Sequence, residues 1–269
     1  MTPYAEVIGD PIAHSKSPLI HGFWLDALGI QAEYRRCHVR PDALGGYFES
    51  RRGDPGWQGC NITVPHKEAA LAHVPDPGGV RDTIGAINTA FRDEAGDIAG
   101  TNTDAAGFWS PISALDLSGR PVVVVGAGGA ARAVLFALAR VGVGPVTILN
   151  RTPLKGAALL AAFGLKGKAL PLDAPLPPAA LLVNASTLGM TGQPPLALDL
   201  SPLPDDSIVY DLVYAPLQTG LLQVAEDRGL ETIDGLEMLI GQAALAFELF
   251  FDADPPRERD DELRDLLTA

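Results

Sequence analysis

Cysteine is scarce in this chain: two residues in 269, Cys37 and Cys60. Neither has metal-ligand spacing around it, which suits a reducing cytosol and gives no hint of a zinc site. Positive charge is also in short supply. Lys and Arg number 20 against 33 Asp and Glu, a net charge of −13, which argues against nucleic acid or an anionic membrane surface as the main partner. Long apolar runs are missing. The most apolar region, residues 121–150, is broken by Gly126, Arg132 and Arg140, so no transmembrane span is expected. The first residues, "MTPYAEVIGD", lack a basic region followed by a long apolar core, so no signal peptide is read there. The five histidines, His14, His21, His38, His66 and His73, form no ligand pattern, so neither metal nor histidine chemistry is predicted.

What is present is an ordinary folded composition, 47% hydrophobic and 20% charged, in a chain long enough for two domains. Short β-like runs alternate with helix-like runs. "YAEVIG", "AEYRRCHV" and "GCNIT" read as strands, with "SPLIHGFWLDAL", "DALGGYFES" and "HKEAALAHV" as helices. "INTAFRDEAGDIAGTNT" has two extended arms around a turn and reads as a hairpin. "VVVV" starts a second series as a strand buried on both faces, continued by "VTILN", "ALLVNAS" and "SIVYDLV". "GLEMLIGQAALAFELFF" reads as a long buried helix, and the charged tail "DADPPRERDDELRD" as a solvated helix face. The predicted class is α/β with mainly parallel sheets. Residues 1–103 form one domain, residues 104–234 a second, Rossmann-like one, and the helices of 235–269 return to the first.

The sharpest local signal is "VVVVGAGGAARA". It gives G-x-G-x-x-A with Gly126, Gly128 and Ala131, after a buried strand and opening a helix. Glycines there let the backbone approach a pyrophosphate that sits at the helix amino end. The cradle comprises Gly126, Ala127, Gly128, Gly129 and Ala130. The next strand should end in an acid if the ligand is NAD, because a carboxylate holds the ribose 2′-hydroxyl. Asn150 stands there instead, followed by Arg151, with Lys155 close behind. A guanidinium beside a neutral amide grips a 2′-phosphate, so NADP is the cofactor predicted.

"NITVPHKE" raises a question. If a helix begins after Pro65, Lys67 lies in its first turn, where a cation is unfavourable by up to ~1 kcal/mol. A catalytic lysine and a snorkelling surface lysine both fit. Ser17 followed by Pro18 looks like an N-cap and first helical residue, and Asp104 before "AAGFW" also looks like a cap. Asn88 and Gln242 have nothing local to mark them.

Taken in order, "GDPIAHSKSP", "NITVPHKE", "IGAINT", "TNTD", "GAGGAARA", "NRT", "NAS", "YDLVY" and "DGLEMLIGQAALAF" resemble the shikimate dehydrogenase family over nearly the whole chain. The resemblance implies NADP-dependent reduction of 3-dehydroshikimate to shikimate in a cytoplasmic monomer or homodimer, with the site in the cleft between domains. It implies that Ser15 and Ser17 hold the substrate carboxylate, and that Thr63, Asn88 and Gln242 bind its hydroxyls. Lys67 and Asp104 are then the catalytic pair, and Tyr214 lines the substrate side. Asn150, Arg151 and Thr152 face the 2′-phosphate, while Gly235 and Met238 lie near the nicotinamide. Relatives that oxidise quinate, or use NAD, and a non-catalytic NADP-binding regulator are the alternatives. Intact Lys67 and Asp104 weigh against the regulator.

Overall fold

A computed structural model describes residues 2–269. The chain divides into two compact units: one takes residues up to Thr103 together with Ile240–Ala269, the other Asp104–Leu239. The return point thus falls inside the long C-terminal helix, five residues after the expected start at Gly235.

The first unit is built on strands β1 (Tyr4–Gly9), β2 (Glu33–His38), β3 (Trp57–Ile62), β4 (Thr89–Arg92) and β5 (Ile98–Thr101), ordered β2-β1-β3-β4-β5. β1 pairs in parallel with both β2 and β3, while β4 is antiparallel to β3 and β5. β1 is buried along its whole length, as a central strand covered on both faces must be. Helices α1 (Ser17–Leu28), α2 (Leu44–Arg52) and the single turn α3 (Val80–Thr83) supply the connections. Gly29, at φ +67°, closes α1 with a left-handed cap whose N–H reaches the Asp26 and Leu25 carbonyls.

The second unit opens with α4 (Asp104–Trp109). It continues through β6 (Val122–Val125), α5 (Gly129–Val141), β7 (Val146–Leu149), α6 (Pro153–Ala162), β8 (Gly167–Leu170), β9 (Leu181–Asn184), β10 (Ile208–Asp211), α7 (Gly220–Asp227) and β11 (Glu231–Ile233). All six strands are parallel, ordered β11-β10-β9-β6-β7-β8. That is the doubly wound dinucleotide-binding order, with its switch point between β6 and β9. Every residue of β6, β7, β9 and β10 is buried. The sequence reading passes over β8 and β11 because both are short edge strands, partly exposed and without an apolar run. The chain closes with α8 (Gly235–Phe251) and α9 (Asp260–Thr268). The charged tail has a buried side: Leu263 and Leu267 lie inward while Arg257–Asp260 and Arg259–Glu262 pair on the surface.

One helix expectation fails. "HKEAALAHV" forms only a 3-10 turn over Ala69–Ala72, and Lys67 precedes it in a non-helical turn. Pro65 and Pro75 bound the segment, and a chain that short gains too little from helix propagation.

Within the first unit, α1 and α8 meet around His21, which is fully buried. Its ring stacks on Tyr34 at 3.9 Å and lies 5.8 Å from Phe247 and 6.0 Å from Phe250. Among the described residues neither ring nitrogen makes a hydrogen bond of good geometry. Burial pushes its pKa down to about 3, and Asn61 offsets this only in part. A depressed histidine keeps the native state neutral, so its contribution to stability is present above the unfolded value of ~6.5 and lost as pH falls toward about 3. His21→Phe removes two buried, poorly compensated nitrogens at similar volume. It is expected to melt within ~1.5 kcal/mol of wild type at pH 7 and to lose less stability between roughly pH 6 and pH 4. Denaturant titrations across that range check this; equal losses in both proteins would rule out the histidine as an acid-labile point.

Candidate active site

The carboxyl end of the first sheet gathers most of the polar residues singled out in the sequence. β1 and β3 run in parallel, so the segments that follow them emerge side by side. Thr63 N–H donates to the Ile8 carbonyl at 3.0 Å, and Asp10 N–H to the Val64 carbonyl at 3.0 Å. β4 is antiparallel, so its first residues lie at the same edge, where Ile62 N–H donates to the Asn88 carbonyl at 2.6 Å. Ile87 N–H donates to the Lys67 carbonyl at 2.8 Å, which ties the lysine's turn to the residue before Asn88. Thr63 and Lys67 are half-buried, while Ser15, Ser17, Asn88 and Gln242 are buried.

The serine loop corrects one reading. The N-cap of α1 is Lys16, with no side-chain cap bond, and Ser17 is the first helical residue. The Ser17 hydroxyl instead accepts from that of Ser15 at 3.2 Å, while Ser17 N–H donates to Ser15 Oγ at 3.3 Å. Arg36 donates two hydrogen bonds to the Ser15 carbonyl, at 3.1 and 2.5 Å. Lys16 donates to the Leu267 carbonyl, which ties the loop to α9.

The Asn88 side chain takes part in at least four hydrogen bonds. Its oxygen accepts from Thr103 N–H at 2.7 Å and from the Thr89 hydroxyl at 3.0 Å. Its nitrogen donates to Thr103 Oγ1 at 2.9 Å and to Gln242 Oε1 at 3.4 Å. Behind it Asn61 donates to Thr89 at 3.3 Å and accepts from the Tyr34 phenol at 2.6 Å. Asn61, Thr89 and Thr103 were missed in the sequence. Their signal was a polar residue recurring within otherwise apolar strand ends, in "CNIT", "INTA" and "TNTD".

In the second unit the G-x-G-x-x-A turn stands at the switch point. Gly126 has φ +107°, and a Cβ there would lie 2.9 Å from the Ala185 carbonyl that follows β9. Gly128 is the N-cap of α5, without a side-chain cap bond, and a Cβ on it would meet nothing within 4 Å. Uncapped N–H groups over open space make a cradle that fits a pyrophosphate; Ala127, Gly129 and Ala130 flank it. Asn150 follows β7 and donates to the Thr152 carbonyl at 2.9 Å. Thr152 caps α6 from an extended conformation but makes no side-chain cap bond. Arg151, Thr152 and Lys155 are exposed.

Asp104 is buried in the first turn of α4. Tyr214 is half-buried in the loop after β10. Gly235 opens α8 where a Cβ would come within 2.6 Å of the Val213 carbonyl, and Met238 belongs to the apolar core of this unit. The loops here hang on Asp211, fully buried, whose carboxylate accepts from Asn184 at 2.8 Å, Val213 N–H at 3.0 Å and the Thr219 hydroxyl at 2.7 Å.

Three family models match the chain: a shikimate dehydrogenase substrate binding domain over residues 7–90, a shikimate/quinate 5-dehydrogenase model over 111–176, and a shikimate 5′-dehydrogenase C-terminal domain over 235–260. A protein of Sphingopyxis alaskensis named shikimate dehydrogenase (NADP(+)) is 70% identical, with the match covering 100% of this chain and 98% of the relative. One of Methylobacterium radiotolerans with the same name is 47% identical, covering 100% and 97%. The crystal structure of shikimate 5-dehydrogenase from Thermus thermophilus, in complex with NADP(H) and shikimate, superposes with a TM-score of 0.85 at 39% identity, covering 99% of this chain and 100% of that one.

The two glycines of the turn predict different outcomes. Gly126→Ala combines a positive φ with a backbone clash and is expected to cost roughly 1–3 kcal/mol of stability. Gly128→Ala is expected to fold within about 1 kcal/mol of wild type but to lose dinucleotide affinity, since the methyl fills the cradle. Thermal melts and a dinucleotide titration separate the two; unimpaired binding by Gly128→Ala would move the pyrophosphate elsewhere.

Proposed function

The chain belongs to the shikimate dehydrogenase family, and from that premise we propose that it is an NADP-dependent oxidoreductase acting on a CH–OH group. It interconverts 3-dehydroshikimate and shikimate, in the pathway to the aromatic amino acids. The observation that carries this reading is the set of buried hydroxyl and amide groups at one edge of the first sheet. Donors and acceptors of that kind suit a small polyhydroxylated acid. Two unpaired cysteines fit a reducing cytoplasm as its location. Among the described residues no helix is long and apolar enough to cross a membrane.

The roles follow from the chemistry of each group. Ser15 and Ser17 offer hydroxyl donors to the substrate carboxylate, and Tyr214 lines the substrate side. Thr63, Asn88 and Gln242 bind the ring hydroxyls. NADP(H), when bound, supplies the hydride equivalent. Gly126 to Ala130 hold the pyrophosphate. Asn150, Arg151, Thr152 and Lys155 hold the 2′-phosphate, with the guanidinium gripping two oxygens at once. Gly235 and Met238 border the nicotinamide. In the reducing direction the ketone oxygen gains negative charge and must receive a proton; Lys67 and Asp104 hold and deliver it as a pair.

Two measurements test these roles. Arg151→Ala is expected to raise the KM for NADP by the equivalent of ~1.5–3 kcal/mol, one charge-assisted contact, while leaving turnover with NAD unchanged. Equal effects on both cofactors would remove the 2′-phosphate role. Lys67→Met keeps length and removes charge. Its kcat is expected to fall by the ~10²–10⁴ typical of acid–base catalysis, with NADP affinity and melting temperature unchanged. Asp104→Asn should lose a similar factor, and the double variant little more, since residues acting as a unit are not additive. A folded Lys67→Met enzyme with wild-type kcat would take the lysine out of the mechanism.

A further inference from the structure

We propose that Thr103 is a positioning residue that fixes which way the Gln242 amide faces, and therefore which donors the first sheet offers to a ligand. The inference rests on the substrate role given above to Gln242, and it starts from hydrogen-bond polarity. A side-chain amide has one acceptor oxygen and two N–H donors, while a hydroxyl has a single proton to give. Thr103 N–H donates to Asn88 Oδ1 at 2.7 Å. A backbone N–H can only donate, so this contact sets the Asn88 amide with its oxygen toward Thr103 N. The Asn88 nitrogen must then face Thr103 Oγ1, 2.9 Å away, and that hydroxyl accepts.

The proton of the Thr103 hydroxyl has two acceptors in reach, Thr89 Oγ1 at 3.3 Å and Gln242 Oε1 at 3.5 Å. Thr89 is the poorer one. It already accepts from Asn61 Nδ2 at 3.3 Å and gives its own proton to Asn88 Oδ1 at 3.0 Å. Asn61 Oδ1 in turn accepts from the Tyr34 phenol at 2.6 Å. Gln242 Oε1, a carbonyl oxygen with two lone pairs, is the less occupied acceptor, and it also receives the Asn88 N–H at 3.4 Å. With its oxygen turned toward Asn88 and Thr103, Gln242 directs its Nε2 donors the other way. All the side chains in this sequence of bonds are buried, so a reversed amide would set donor against donor without water to compensate. Gln242 Oε1 receives these two donors at 3.4 and 3.5 Å, so loss of the hydroxyl leaves Asn88 alone in this set of bonds to hold the glutamine oxygen in place.

Thr103→Val removes the hydroxyl at nearly equal volume and leaves the backbone N–H on Asn88. The expected result is a KM for shikimate raised roughly 3- to 10-fold, the scale of one neutral hydrogen bond, with KM for NADP unchanged. Thr103→Ser restores the hydroxyl and is expected to restore KM. In a Gln242→Ala background Thr103→Val should add nothing, because the threonine acts through the glutamine. Losses that multiply across the two sites, or equal impairment by Val and Ser, would overturn the proposal.

A second readout needs no turnover. In ligand-free protein labelled with ¹⁵N, the Gln242 side-chain amide resonances should move in Thr103→Val and return in Thr103→Ser; resonances unmoved by Val would also overturn it. If wild-type protein failed to oxidise shikimate with NADP, the function proposed above would fall, and the resonances alone would still decide the role of Thr103.

Discussion

A polar group taken out of water must find a partner inside the protein, and this constraint shapes both units where their strands end. Leaving one buried donor or acceptor unpaired costs about 1–3 kcal/mol, so polar residues placed there hold one another in fixed orientations. In the first unit the Asn88 side chain is hydrogen-bonded to Thr89, Thr103 and Gln242. In the second, the Asp211 carboxylate is buried, and three donors compensate for the water it has lost: Asn184, Val213 N–H and Thr219. Burial pushes the Asp211 carboxyl above the usual carboxylate range, and these bonds oppose it. Thr219 passes the tie on as the cap of α7, and Asn184 fixes Ser186 and Leu188 in the loop that crowds Gly126.

Much of this was readable from local pattern. "VVVV" became β6, buried at every residue, because a strand covered on both faces needs an unbroken apolar run. "GAGGAARA" became a bare turn into α5 because only glycine tolerates the φ and the approach at Gly126. The hairpin around "DEAGD" formed as β4 and β5. Other features could not be read this way. Asn88 and Gln242 lie 154 positions apart, so nothing local marks them as partners. Ser17 has the composition of a cap, but its hydroxyl is occupied by Ser15. Lys67 sits in a turn because two prolines leave its segment too little length for a helix.

That last result changes why the lysine needs explaining. No helix amino end opposes its charge. Lys67 is half-buried, and its carbonyl accepts from the residue before Asn88, on a sheet edge that carries hydroxyls and amides. The acid–base role proposed for Lys67 places a cation in those surroundings to handle a proton on a hydroxylated substrate. On the other unit, the missing acid after β7 leaves Arg151 and Lys155 exposed beside Asn150, a setting for an extra phosphate rather than a ribose hydroxyl.

The central claim is thus a matched pair of choices, shikimate on one unit and the 2′-phosphorylated dinucleotide on the other. Initial rates of the wild-type protein, followed at the nicotinamide absorbance with shikimate or quinate and with NADP or NAD, test it most directly. The account predicts rapid reduction of NADP by shikimate and much lower kcat/KM for the other three combinations. Equal kcat/KM with NAD, or a preference for quinate, would contradict it.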